Sequence, residues 1–231
     1  MKATDNYPLP LSNFLKTRKF SSFIRSSKSL GIVFGEPGYG KTTTFKNEER
    51  LDTKVKYYRV GYQEPSKIFY SRVLLDLIGN KDIDLNKLRK SSYLTYLIDR
   101  CSSEVNERKH IELIIIDEAG NFSSRYLPHI RQLWDNINQN CGVLVAGPLS
   151  FMYNLKKWRL ENRTGIHEML SRVGNRILTL ESHKLRDTEL FCSESNIHDP
   201  SEINYFHSNS KSIRDLEILV NDFKAGRINI C

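Results

Sequence analysis

Gly35-Glu36-Pro37-Gly38-Tyr39-Gly40-Lys41-Thr42 is the stretch on which the reading of this chain turns. It fits the pattern G-x-x-x-x-G-K-[S/T], and its flanks are the ones that pattern requires. Gly31-Ile32-Val33-Phe34 before it predicts a short buried strand, and Lys41 opens a predicted helix running towards Arg50. Glycines let the backbone curl so that successive N–H groups and the helix N-terminus face one point, and an anionic phosphate fits there. Lys41 supplies a point charge for β- and γ-phosphates, and the Thr42 hydroxyl a hard oxygen for Mg²⁺. The expected nucleotide-binding set is therefore Gly35, Glu36, Pro37, Gly38, Tyr39, Gly40, Lys41, Thr42 and Thr43.

Seventy-six residues after Lys41, Leu113-Ile114-Ile115-Ile116-Asp117-Glu118 ends an aliphatic run in two carboxylates. Such a run suits a central parallel strand covered on both faces, and the carboxyl ends of such strands are where ligands bind in open α/β sheets. Asp117 is expected to hold Mg²⁺, directly or through water. Glu118 is expected to polarise the attacking water, so the pair points to hydrolysis rather than to transfer onto a small acceptor.

Further from the loop, strand and helix patterns alternate. Lys54–Val60, Ile111–Asp117, Gly142–Ala146 and Ile177–Leu180 read as strands, and helices are expected at 11–30, 65–78, 88–105, 123–138 and 149–155. The fold class is α/β: a P-loop NTPase with a five-stranded parallel sheet. After the last strand only helical patterns follow (185–192, 202–207, 211–223). The expected organisation is a basic helical segment at 1–30, an α/β ATPase core at 31–182 and a small helical lid at 183–231.

Lys and Arg number 35 against 27 Asp and Glu, and twelve of the bases against five of the acids fall in residues 1–60. That excess favours a polyanionic partner. Four cysteines lie tens of residues apart without metal-ligand spacing, and are expected to be reduced thiols. Apolar runs are too short to span a bilayer, and the first ten residues carry no apolar targeting core. No membrane contact and a cytoplasmic location are expected.

Taken together, G-E-P-G-Y-G-K-T, I-I-I-D-E-A, V-L-V-A-G-P and the late S-R-V-G-N-R resemble AAA+ ATPases of the MuB/TnsC type, target-selection regulators of DNA transposition. The resemblance covers roughly residues 10–225. It implies an ATP- and Mg²⁺-dependent protein that self-associates into rings or helical filaments on double-stranded DNA. It also implies recruitment of a transposase, with a target-selector protein as a further partner.

The resemblance also implies residue roles. Arg172 or Arg176 stands where such proteins carry an arginine that reaches a neighbouring subunit's γ-phosphate, and Arg214 where an arginine of the lid touches the nucleotide. The polar residue expected just after the fourth strand is replaced by Pro148, with Ser150 the nearest polar substitute, which implies slow hydrolysis. No base-reading motif is present, so DNA contacts are expected to be phosphate-directed and salt-sensitive, through Lys81, Lys87, Arg89, Lys90 and Arg125. The aromatics Phe122, Tyr126, Trp134 and Trp158 are expected in cores or subunit contacts. Rival readings are a helicase loader or replication initiator, a small-molecule P-loop kinase, and a protein-scaffold NTPase.

Overall fold

The structure, a computed structural model, describes residues 8–78, 93–108 and 110–228. Five parallel strands, β1 (Leu30–Phe34), β2 (Val55–Arg59), β3 (Leu113–Asp117), β4 (Gly142–Gly147) and β5 (Ile177–Thr179), form one sheet in the order β2-β3-β4-β1-β5. The order slots β4 between the strand that feeds the phosphate loop and the strand that ends in Asp117. Both loops thus emerge on the same edge, one strand apart.

The side-chain period of two divides the strands between two cores. Val33, Val55, Leu113, Ile115, Leu144 and Ala146 face one side, together with Ile24 of α1 (Ser12–Ser26) and Phe45 of α2 (Lys41–Leu51). Leu30, Ile32, Ile114, Ile116, Val143 and Val145 face the other, under α3 (Ser66–Ile78), α4 (Tyr93–Arg108), α5 (Leu127–Ile137), α6 (Leu149–Leu160) and α7 (Ile166–Val173). Strands β1, β3 and β4 are buried along their whole length, as near-continuous aliphatic runs require. α1 lies so close to the sheet that a Cβ on Gly142 would come within 2.5 Å of the Ile24 carbonyl oxygen. Only glycine permits that crossing.

Helices α8 (Leu185–Glu194), α9 (Pro200–Asn209) and α10 (Ile213–Lys224) gather a third cluster around Cys192, Phe206, Leu216 and Val220. Among the described residues no helix is long and apolar enough to cross a membrane.

The expected parallel five-stranded α/β fold is the one observed. Several helices differ from the sequence reading: α1 ends at Ser26, since Leu30 already belongs to β1, and α6 runs on to Leu160 rather than 155. The segment from Ser123 is a turn, after a 3-10 turn over Ala119–Asn121, and α5 begins only at Leu127 with Pro128 in its first turn, where the missing N–H is harmless. α7 was not anticipated: its eight residues bury Ile166, Met169 and Val173 on one face, too few turns to stand out in a sequence. The start expected for α4 at residue 88 lies outside the described residues. Phe122 is buried, and Tyr126, Trp134 and Trp158 pack against the main core.

Candidate functional site

Residues 35–40 turn from β1 into α2, with Gly38 and Gly40 at φ 85° and 87°, a left-handed backbone that glycine adopts without strain. Lys41, the first residue of α2, is 8% exposed, and its ammonium donates to the carbonyl of Gly35 and, at 3.2 Å, to that of Glu36. Burial pulls its pKa below the ordinary lysine value, and the charges of Asp117, Glu118 and Glu36 act against that pull. The amine thus waits on the loop's own oxygens, beside a ring of carboxylates.

Asp117 is fully buried at the end of β3. Thr42 Oγ1 donates to its Oδ2 at 2.6 Å and Tyr57 Oη at 3.0 Å, while the Glu118 N–H donates to Oδ1 at 2.8 Å. Three donors make a buried carboxylate tolerable where an unpaired one would not be. A hydroxyl beside a carboxylate is a hard-oxygen pair suited to Mg²⁺, an ion that keeps waters and takes phosphate oxygens for its other positions. No group of three or more His, Cys, Asp or Glu able to hold a metal exists among the described residues.

Glu118 sits in a left-handed backbone, φ 57° and ψ 33°, a strain of roughly 1–2 kcal/mol for a residue with a side chain. Its carboxylate lies 3.7 Å from the guanidinium of Arg59. Register explains both neighbours of the acid strand: β2 runs beside β3 with Arg59 opposite Asp117 and Tyr57 opposite Ile115. Tyr57 and Arg59 thus belong to the site, and the sequence reading did not single them out. Their alternation in Lys54–Val60 was visible, but which strand stands next to β3 was not.

The loop, Arg59, Glu118, Ile213, Arg214 and Glu217 enclose a cleft of about 300 Å³. Arg214, on the first turn of α10, faces it closely enough for its charge to weigh on Lys41. The structure therefore brings together Lys41, Thr42, Asp117, Glu118 and Arg214, which lie up to 173 residues apart in sequence. A larger hollow of about 560 Å³ continues from Tyr39, Gly40 and Thr43 towards Leu9, Phe14 and Phe191. Its walls are more apolar.

The other expected residues stand elsewhere. Arg172 pairs with Asp135 at 3.1 Å, and Arg176 donates to the Leu30 carbonyl at 3.2 Å, at the amino end of β1, the far end of that strand from the phosphate loop. Within one chain neither reaches the cleft. Pro148 begins the turn into α6, its Cδ against Gly120, and Ser150 is exposed. Arg125 is exposed in the turn before α5. Lys81, Lys87, Arg89 and Lys90 lie outside the described residues.

Residues 24–153 match a family model described as an AAA domain. Among solved structures the chain is similar to the Cdc6p protein of Pyrobaculum aerophilum, at a TM-score of 0.68 and 11% identity over 98% of this chain and 65% of that one. It is also similar to the replication initiator DnaA bound to AMPPCP and single-stranded DNA, at 0.57 and 13% over 90% and 59%. A further likeness is to a signal-transduction ATPase of the STAND class from Pyrococcus horikoshii, at 0.55 and 16% over 88% and 29%. The chain thus spans less than two thirds of these structures. No curated protein matches the sequence.

Proposed function

We propose, from the premise that this chain belongs to the AAA domain family, that it binds ATP with Mg²⁺, hydrolyses it slowly and uses the nucleotide as a switch for assembly on DNA. The observation that carries the reading is the convergence of Lys41, Thr42, Glu118 and Arg214 on one cleft, with the buried Asp117 bonded to Thr42 behind it.

In that reading the loop N–H groups and the Lys41 ammonium, released from the carbonyls of Gly35 and Glu36, take the β- and γ-phosphates. Thr42 and Asp117 hold Mg²⁺, which neutralises phosphate charge when bound. Glu118 orients a water at the γ-phosphate once it leaves Arg59, and Arg214 brings the lid onto the same phosphates. Arg172 or Arg176 contributes only from a neighbouring subunit, so hydrolysis depends on assembly. Residues 31–182 act as the ATPase core and 183–231 as the lid.

The motif resemblance supports a target-selection ATPase that coats duplex DNA and recruits a transposase, with Arg125, Lys81, Lys87, Arg89 and Lys90 on phosphates. A second reading, a replication-initiator type acting on single strands, is favoured by the likeness to DnaA, whose structure holds single-stranded DNA. Electron microscopy and salt-dependent binding with each kind of DNA separate the two. Ordered assemblies on duplex that form with ATP and dissolve with ADP support the first, and ATP-dependent binding confined to single strands supports the second. Monomers under all conditions refute the switch.

A further inference from the structure

Asp187 carries a structural relationship that the nucleotide chemistry alone does not need. It is 2% exposed, at the third position of α8 in the lid. Its Oδ2 accepts the backbone N–H of Lys184 at 2.9 Å, capping its own helix. Its Oδ1 accepts both the backbone N–H and the hydroxyl of Ser12, at 2.7 and 2.9 Å, across 175 residues. Ser12 is the first residue of α1, and the residue before it, Leu11, has no side-chain cap to offer. One carboxylate therefore caps two helices, one in the lid and one on the sheet. Helix N-termini leave N–H groups without partners and carry partial positive charge, so a buried carboxylate is the favourable group to join them.

The surroundings strengthen the tie. Asn13 donates to the Glu181 carbonyl at 2.8 Å and Lys16 approaches the Glu181 carboxylate at 3.5 Å, so the start of α1 has further ties to the segment that leads into the lid. The apolar hollow beside the phosphate loop lies between these two bodies: Leu9, Leu11 and Phe14 on one wall, Phe191 and Ile213 on the other.

We propose that Asp187 is a latch: by holding Ser12 it sets the spacing of the nucleoside hollow, and so acts as a positioning residue for the base and ribose but not for the phosphates. This rests on the nucleotide reading above.

The test separates the two halves of the ligand. ATP and inorganic tripolyphosphate, each with Mg²⁺, are titrated against the full chain and two variants. Asp187→Asn keeps the shape but replaces one acceptor oxygen with a donor. Ser12→Pro removes both Ser12 donors while leaving the α8 cap intact, and proline is at home at the first position of a helix. Leu11, at φ −66° and ψ 153°, already has the backbone a residue before proline adopts. The expected result is a roughly tenfold or greater loss of ATP affinity in each variant, the usual scale for losing charge-assisted bonds, with tripolyphosphate affinity unchanged. In turnover, KM for ATP rises while kcat holds. The double variant is no weaker than the worse single one, as for two ends of one contact.

Equal losses for ATP and tripolyphosphate would overturn the latch, as would ATP affinity unchanged in Ser12→Pro. If Asp187→Asn fails to fold, Ser12→Pro carries the comparison alone. Wild-type protein that binds neither ligand would instead refute the nucleotide reading itself, and the latch with it.

Discussion

Thr42 donates its hydroxyl to Asp117 at 2.6 Å, joining the end of the phosphate loop to the end of the acid strand. The contact exists because β4 alone separates β1 from β3, so the two loops open side by side. It places a hydroxyl and a carboxylate where a single small cation can take both. Thr42→Ala is expected to lower ATP affinity in Mg²⁺ by roughly 10- to 100-fold and to leave affinity in EDTA unchanged. Calorimetric titration under the two conditions checks this, and an equal loss in both would show that Thr42 does not serve the cation.

Arg59 holds the Glu118 carboxylate at 3.7 Å from a position mostly open to solvent. An exposed pair of this kind contributes little to stability, so its removal should be felt in turnover rather than in folding. Arg59→Ala is expected to raise kcat a few-fold with KM nearly unchanged, because Glu118 is freed to meet water. Steady-state phosphate release measures it; a fall in kcat would mean that Arg59 assists the reaction instead.

Gly38 packs against the start of α10. A Cβ there would lie 2.5 Å from Ser212 Oγ and 3.1 Å from the Arg214 Cβ, on a backbone at φ 85° that side chains rarely adopt. Gly38→Ala is expected to push α10 and Arg214 off the cleft and to weaken ATP binding at least tenfold, beyond the ~1 kcal/mol of backbone strain. Gly226, also at positive φ but with open space around it, is the control: Gly226→Ala should carry the strain alone and leave nucleotide affinity as it was.

Glu48 on α2 faces Ser21 of α1. Burial pushes its carboxyl up to about 7, and the Ser21 hydroxyl and the charges of Arg18 and Arg25 offset only part of that. The folded chain thus holds a proton that the unfolded chain releases at the ordinary value of 4.5. Stability from this group is complete below about 4.5 and is lost as the pH rises to about 7. The loss is roughly 3 kcal/mol. Glu48→Gln, permanently neutral, is expected to raise Tm at pH 8 by roughly 6–12 °C and to change it little at pH 4. A Tm difference independent of pH would contradict the assignment.

Much of this was legible in the sequence. The loop from Gly35 to Thr42 and the run Leu113–Glu118 declare themselves because each packs its chemistry into consecutive residues, and the helix and strand periods around them specify a parallel sheet. What could not be read is what depends on register and on contacts between distant elements. Tyr57 and Arg59 join the site only because β2 lies against β3. Asp187 looks like an ordinary acid in the first turn of a helix until α1 is seen beside it. α7 escaped because eight residues show too little periodicity. Arg172 and Arg176 came from the resemblance alone, and within the chain they bond to Asp135 and the Leu30 carbonyl, away from the cleft.

Single-turnover hydrolysis of ATP, with binding followed in parallel, for the wild type, Glu118→Gln and Lys41→Ala decides whether this site is an ATPase. The wild type is expected to bind and slowly hydrolyse ATP. Glu118→Gln should bind it with similar affinity and hydrolyse it at least 100-fold more slowly, and Lys41→Ala should not bind it at all. Wild-type protein that binds no ATP, or Glu118→Gln that hydrolyses it as fast as the wild type, would contradict the account.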